Sequence, residues 1–265
     1  MKVFISIDME GITGTTLWQE CQSDHPSYQA HVKQMTNECL AACEGAIEAG
    51  ATEIVVRDAH NTATNIDMSL LPKEVKIIRQ WSGHPYSMVD GIDSSFDAVL
   101  FVGYHGAAGS PLNPLSHTMT GRSQRISLNG LPASEFLLYS YAAALEGVPT
   151  IFVSGDEGLC EQAKDLYPDI KTVSVKSGKG GSVTHLSPNL ALDKIRNTAR
   201  VALSGNLKNQ VVELPKHFDV NITFKEHVDA KRRSYYPGMI QIDANTIQFS
   251  TDDYFDVLRM IAFVL

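Results

Sequence analysis

The chain opens M-K-V-F-I-S-I-D-M-E-G-I-T-G, residues 1–14: an apolar run, then carboxylates at Asp8 and Glu10, then a glycine turn. An unbroken apolar run such as 3–7 reads as a strand buried on both faces, as in a parallel sheet. In α/β proteins the chemistry collects just past the carboxyl ends of such strands. Side chains two apart on extended backbone point to the same side, so Asp8 and Glu10 face one point. Paired acids repel unless a cation, a shared proton or basic neighbours hold them together. No Lys or Arg stands between Lys2 and Lys33. Taken alone, the pair also fits a capping Asp8 beside a solvated Glu10; the rest of the chain favours the cation.

Working outward, residues 30–49 set Val32, Met35, Cys39, Leu40, Cys43, Ala46 and Ile47 at helical spacing, and Gly50 supplies a stop. Strands are expected at 53–57, 75–78, 97–102, 125–128, 150–153 and 171–175, and helices at 134–146 and 157–166. Residues 107–122, rich in Gly, Pro, Ser and Asn, read as a long loop of the functional kind. Asn129-Gly130 reads as a tight turn. The alternation predicts a three-layer α/β/α fold with a mainly parallel sheet. Beyond it, a helix at 188–203, strands at 220–224, 239–242 and 246–249, and a final helix form a smaller α+β portion. A soft boundary is therefore expected near residue 180, with a catalytic core over 1–180 and the smaller portion over 181–265.

The length of 265 residues, 43% hydrophobic and 20% charged, suits a globular chain with a substantial core. A formal net charge of -8 argues against a nucleic-acid surface, the one dense basic cluster being Lys231, Arg232 and Arg233. No run approaches the roughly 18 apolar residues of a membrane span, and no signal-peptide layout precedes the first strand, so a cytoplasmic protein is expected. Cys21, Cys39, Cys43 and Cys160 form no Cys-x-x-Cys pair and read as reduced thiols that mainly pack.

Three expected strands end in residues able to hold a metal: Asp8 and Glu10 after the first, His60 after E-I-V-V-R, and His105 after V-L-F-V-G. In a parallel sheet these ends share an edge, and imidazole with carboxylate suits zinc. Each histidine on its own fits a hydrogen-bonded loop residue equally well. Asp58 is a candidate to orient His60, and Asp156 and Glu157, at the same edge, either bind a substrate amine or start a helix. The S-G-K-G-G run at 177–181 lacks the strand-to-helix order of a phosphate loop.

The segments S-I-D-M-E-G (6–11), R-D-A-H-N (57–61), H-P-Y-S-M-V-D-G (84–91), G-Y-H-G (103–106), L-S-H-T-M (115–119) and N-G-L-P-A-S-E (129–135) stand in one order. Together they resemble the zinc-dependent D-aminopeptidase family, the DppA-type M55 metallopeptidases, over 3–156 and more weakly to the C-terminus. The resemblance implies two Zn²⁺ per subunit, held by Asp8, Glu10, His60, His105 and Glu135. Asp8 would bridge both ions, Glu10 and His60 serving one and His105 and Glu135 the other. Glu135 is reached only through the resemblance; its position also fits a helix cap. His117 corresponds to the family's catalytic histidine. The resemblance further implies hydrolysis of the N-terminal residue of short peptides, those of D-amino acids above all, by a ring-shaped homo-oligomer, a decamer.

Two other readings stand beside it. Asp8-x-Glu10 after a first strand resembles a Mg-dependent phosphohydrolase with Asp8 as nucleophile, although that class has aspartate where Glu10 stands and a lysine ahead of its later acidic motif, whereas Lys176 follows Asp156 and Glu157. A non-catalytic peptide- or metal-binding protein of a transport system is the other, for which five ligands and His117 are surplus.

Overall fold

The computed structural model describes residues 1–265 apart from the side chains at 208 and 209. In chain order its elements are β1 (Lys2–Ile7), α1 (Tyr28–Glu48), β2 (Glu53–Asp58), β3 (Val75–Ile78), β4 (Ala98–Tyr104), β5 (Ser123–Leu128), β6 (Leu131–Pro132), α2 (Glu135–Leu145), β7 (Thr150–Asp156) and α3 (Glu157–Leu166). There follow β8 (Lys171–Lys179), β9 (Ser182–His185), α4 (Pro188–Leu203), β10 (Phe218–Phe224), α5 (His227–Arg233), β11 (Ile240–Gln241), β12 (Thr246–Thr251) and α6 (Tyr254–Val264).

The apolar run of β1 is buried because it occupies the middle of a seven-stranded sheet ordered β3-β2-β1-β4-β7-β8-β9. All neighbours pair parallel except the edge strand β9. Alternate side chains divide the core. Val3, Ile5 and Ile7 pack with Met35, Cys39 and Cys43 of α1 and Ile195 of α4, whereas Phe4, Val99 and Phe101 face Phe136 and Leu137 of α2 and Leu159 of α3. Helices thus cover both faces, as the continuous hydrophobicity of parallel strands requires.

The chain leaves β1 on one side through β2 and β3, then restarts on its other side with β4. The topological switch point, where α/β sheets place their ligands, therefore lies between β1 and β4. Here the two strand ends nearly touch. The Asp8 amide donates to the Val102 carbonyl at 2.9 Å and the Gly11 amide to that of Gly103 at 2.8 Å. A Cβ on Gly11 would lie 1.7 Å from the Tyr104 carbonyl oxygen, an obstacle in rigid backbone. Gly11→Ala is accordingly expected to destabilise the fold by at least about 3 kcal/mol, the upper range of overpacking penalties. A urea titration reads this as a fall in midpoint at unchanged slope.

The second sheet, antiparallel and five-stranded, runs β11-β12-β10-β5-β6. β10 alternates strictly, burying Phe218, Val220, Ile222 and Phe224 in a core shared with Ile126 and Leu128 of β5. Asn129 and Gly130, both at positive φ, make the two-residue turn from β5 to β6. The change of sheet does not fall near residue 180, where the sequence suggests a boundary. β5 and β6 join the second sheet because β10 needs an apolar partner, and β8 continues past 175 into a hairpin that returns β9 along the first sheet. α4 then packs on α1, and α6 on α2, β10 and β12. Of the glycine-rich 177–181 run, the first three residues belong to β8 and Gly180 and Gly181 make that hairpin's turn. Among the described residues no helix is long and apolar enough to cross a membrane, and all four cysteines are free and buried.

Candidate metal centre

Each sequence-read donor leaves a carboxyl end of the first sheet or the start of α2. Asp8 and Glu10 follow β1, His60 follows β2, His105 follows β4, and Glu135 opens α2. The five converge and are buried, at 2%, 4%, 4%, 1% and 3% exposure in that order. His60 Nδ1 lies 2.9 Å from Glu10 Oε2 and 3.3 Å from Asp8 Oδ1. His105 Nε2 lies 3.3 Å from both Asp8 Oδ2 and Glu135 Oε2. Asp8 thus stands between two clusters, one oxygen toward each.

The imidazoles are oriented from behind. His60 Nε2 donates to the Cys21 carbonyl at 3.0 Å, and His105 Nδ1 to that of Gly106 at 3.0 Å. Each ring thereby presents its other nitrogen, unprotonated in the neutral form, to the carboxylates, as metal-binding histidines do. Ser134 caps α2 by accepting from the Leu137 amide at 3.1 Å. Glu135 is released from capping, and its Oε1 accepts from the Met119 amide at 2.6 Å.

Burial of so many charges is costly without compensation. Burial first, then the charge of Glu10, raises the Asp8 carboxyl above its ordinary value. For Glu10 burial is outweighed by His60, and its carboxyl is held well below the usual range. Burial also opposes charge on His60 and His105, but Glu10 and Glu135 respectively, with Asp8 beside both, push the two imidazoles well above their ordinary values. Protons on the rings thus do the work of cations, and a divalent ion has to displace them. Asp8 Oδ2 and His105 Nε2 remain buried without a hydrogen-bond partner. Orphaned atoms of this kind, in a donor set of carboxylate and imidazole, fit a divalent metal of the zinc type.

His117 joins the second cluster from the long loop. Its Nδ1 donates to the Leu115 carbonyl at 2.9 Å, leaving Nε2 3.7 Å from Glu135 Oε1. The ring stacks on His105 at 4.3 Å between centroids and 10° between planes, and Trp18 packs edge-on against it. A cavity of about 450 Å³ opens over the centre, lined by Asp8, Glu10, His60, His117 and Glu135 with Trp18, Trp81 and Met119 among its walls.

Three candidates lie elsewhere. Asp58 does not hold the His60 ring; it accepts from the Asn65 side chain and the Asn65 and Ile66 amides, fixing the loop that carries His60. Asp156 caps α3 through the Leu159 amide and takes the Gly106 amide at 2.7 Å, so it shapes the His105 loop instead of meeting substrate. Glu157 bonds Ser177.

Sequence reading names Lys176 only against the phosphohydrolase pattern and gives it no place in the site. Buried on β8, it donates to the carbonyls of Glu10 and Thr15 and so clamps the segment after β1, while burial pulls its pKa down to about 8. A lysine in the apolar-alternating run T-V-S-V-K is its signal. The same segment is tied by Glu38 to the Thr13 amide at 2.8 Å and by His185 to the Gly14 amide at 3.0 Å.

An α/β sheet with carboxylates and imidazoles gathered at its switch point, under an open cavity, has the make-up of a metallohydrolase. The model of peptidase family M55, D-aminopeptidase, matches residues 1–263, and the chain belongs to that family. It is 31% identical over 263 residues to the D-aminopeptidase of Bacillus subtilis strain 168, spanning 98% of this chain and 94% of that protein. It is also similar in structure, with a TM-score of 0.92 at 29% identity, to the zinc-dependent D-aminopeptidase DppA from Bacillus subtilis, a self-compartmentalizing protease. That likeness covers 100% of this chain and 96% of the other. The family resemblance and the α/β fold read from the sequence hold, and the chain is a hydrolase of the peptidase class.

Proposed function

We propose that this peptidase removes the N-terminal residue of short peptides, D-amino-acid peptides above all, with two zinc ions held by Asp8, Glu10, His60, His105 and Glu135. One observation carries the reading: five buried donors converge with Asp8 Oδ2 and His105 Nε2 left unpartnered. Bound there, the metal supplies Lewis acidity for the scissile carbonyl and for a water. Asp8, with one carboxylate oxygen toward each cluster, would hold both ions. The carbonyls of Cys21 and Gly106 hold the imidazoles in their ligating tautomers. The carboxylates of the cavity draw in a free α-amine, and His117 Nε2 gives a proton to the departing amine.

The phosphohydrolase reading is not favoured. Lys176, the one buried lysine among the described residues, is engaged by backbone carbonyls, leaving no ammonium for a phosphate. A homo-oligomer belongs to the proposal, since the solved relative is self-compartmentalizing; a decamer would run in light scattering at about ten times the 29.0 kDa chain mass.

The test is to purify the chain without added metal, measure zinc by elemental analysis, and assay D-Ala-D-Ala, L-Ala-L-Ala and a phosphate ester with and without chelator. Co-purifying zinc and D-dipeptide hydrolysis that chelator abolishes and zinc restores are expected. Phosphatase activity on magnesium alone would sink the peptidase reading, and zinc with no peptide turnover would favour simple binding.

A further inference from the structure

Cys21 contributes more to the centre than its carbonyl. Its Sγ forms a group with donor atoms of Glu10 and His60, all within 4.8 Å of one another, and it lines the cavity at 3% exposure. With zinc–sulfur and zinc–nitrogen bonds of about 2.3 and 2.0 Å, two ligands of one tetrahedral ion lie about 3.5 Å apart. The three donors thus stand near the spacing that a single cation takes.

The backbone that carries the thiol is fixed on both sides. Glu20 accepts from the Thr16 and Leu17 amides at 2.7 and 2.9 Å, closing the turn that ends at Cys21, and the Cys21 carbonyl is itself bonded to His60. Thr16 Oγ1 pairs with His185 Nε2 at 2.9 Å and Thr15 Oγ1 with His31 Nδ1 at 2.8 Å, so the segment leading into the turn is held from two further elements. Cys39 and Cys43 face the core beneath α1, and Cys160 lies on α3. The second cluster, formed by His105, His117 and Glu135, contains no thiol.

We infer that the Cys21 thiolate is an additional protein ligand of the ion held by Asp8, Glu10 and His60. The inference rests on the metal reading above. The sulfur–zinc bond forms as the thiol proton passes to solvent. That ion then has four protein ligands, the closed arrangement of a structural zinc, while the ion between His105 and Glu135 keeps the open position that catalysis requires. The two positions become unequal: one tight and selective for a soft-accepting metal, the other exchangeable.

Cobalt substitution tests this without reference to activity. A cobalt–thiolate bond absorbs in the near ultraviolet by sulfur-to-metal charge transfer, and cobalt held only by imidazole and carboxylate does not. The metal-free full-length protein titrated with cobalt is expected to develop that band with the first equivalent. Cys21→Ser is expected to lack it and to bind the tighter ion about 100-fold more weakly, at the upper end of what even outer-shell changes cost. Cys160→Ser is expected to keep the band. Wild-type protein that binds one or two cobalt ions without the band overturns the inference and leaves the metal reading intact. A Cys21→Ser protein that retains the band also overturns it. A chain that takes up no cobalt or zinc overturns the metal reading itself, and this inference with it.

Discussion

Asp8→Asn is expected to strip both metal ions from the protein and to lower kcat/KM by at least about three orders of magnitude. The size follows from the several kcal/mol that metal Lewis acidity lends a transition state, each 1.4 kcal/mol being a factor of ten. The cause is position: Asp8 sets one carboxylate oxygen toward each histidine, Oδ1 toward His60 and Oδ2 toward His105. Glu10→Gln acts mainly on the His60 side, where Oε2 lies 2.9 Å from Nδ1, and is expected to leave about one ion per chain. Stability separates loss of metal from misfolding. A ligand at 100 times its Kd stabilises the folded state by about 2.7 kcal/mol, so wild-type protein gains several degrees of Tm with zinc and Asp8→Asn gains none. Without metal the order reverses. Burial and Glu10 both work against the Asp8 charge, so the neutral amide is expected to leave the metal-free protein at least as stable as wild type. An Asp8→Asn protein that binds two zinc ions with unchanged affinity would remove Asp8 from the bridging role.

The first fourteen residues show how much of this was legible. The apolar run, the i and i+2 carboxylates and the glycine are local facts, and the strand ends at His60 and His105 follow from the same pattern repeated. Strand order is not local. That β1 sits between β2 and β4, which creates the switch point under Asp8, depends on pairings between residues far apart in sequence. Gly11 was visible as a turn residue, but its real constraint is the Tyr104 carbonyl across the sheet. Glu135 carries no strand-end signature, because it reaches the site from the opening turn of α2 after a hairpin of the other sheet; only the family resemblance pointed to it. Cys21 looked like packing for the same reason. Its neighbours Glu10 and His60 lie on other elements, and no spacing in the chain brings a thiol to them. The boundary expected near 180 rests on a change of secondary-structure pattern, which is local, whereas the pairing of β5 with β10 in the second sheet joins residues about 95 apart, a separation of the non-local kind.

His117→Ala is expected to keep about two zinc ions per chain and to lose about 10²- to 10⁴-fold in kcat, the range for removing a positioned general acid or base. The competing role is that of a ligand, since one of its donor atoms groups with those of His105 and Glu135 within 4.8 Å. Three features favour proton transfer. Glu135 Oε1, the carboxylate atom nearest His117, already accepts from the Met119 amide. The His117 side chain is 15% exposed where those of His60 and His105 are 5% and 1%, so it is the one of the three most open to solvent. And the ring lies face to face with His105, a stacking that holds it beside the centre. A general acid acts in the transition state, so KM should move little while kcat falls, and added imidazole should restore part of the rate. Zinc content separates the two roles directly: a fall to one ion per chain, in step with the lost activity, would make His117 a ligand and leave the leaving amine to draw its proton from elsewhere.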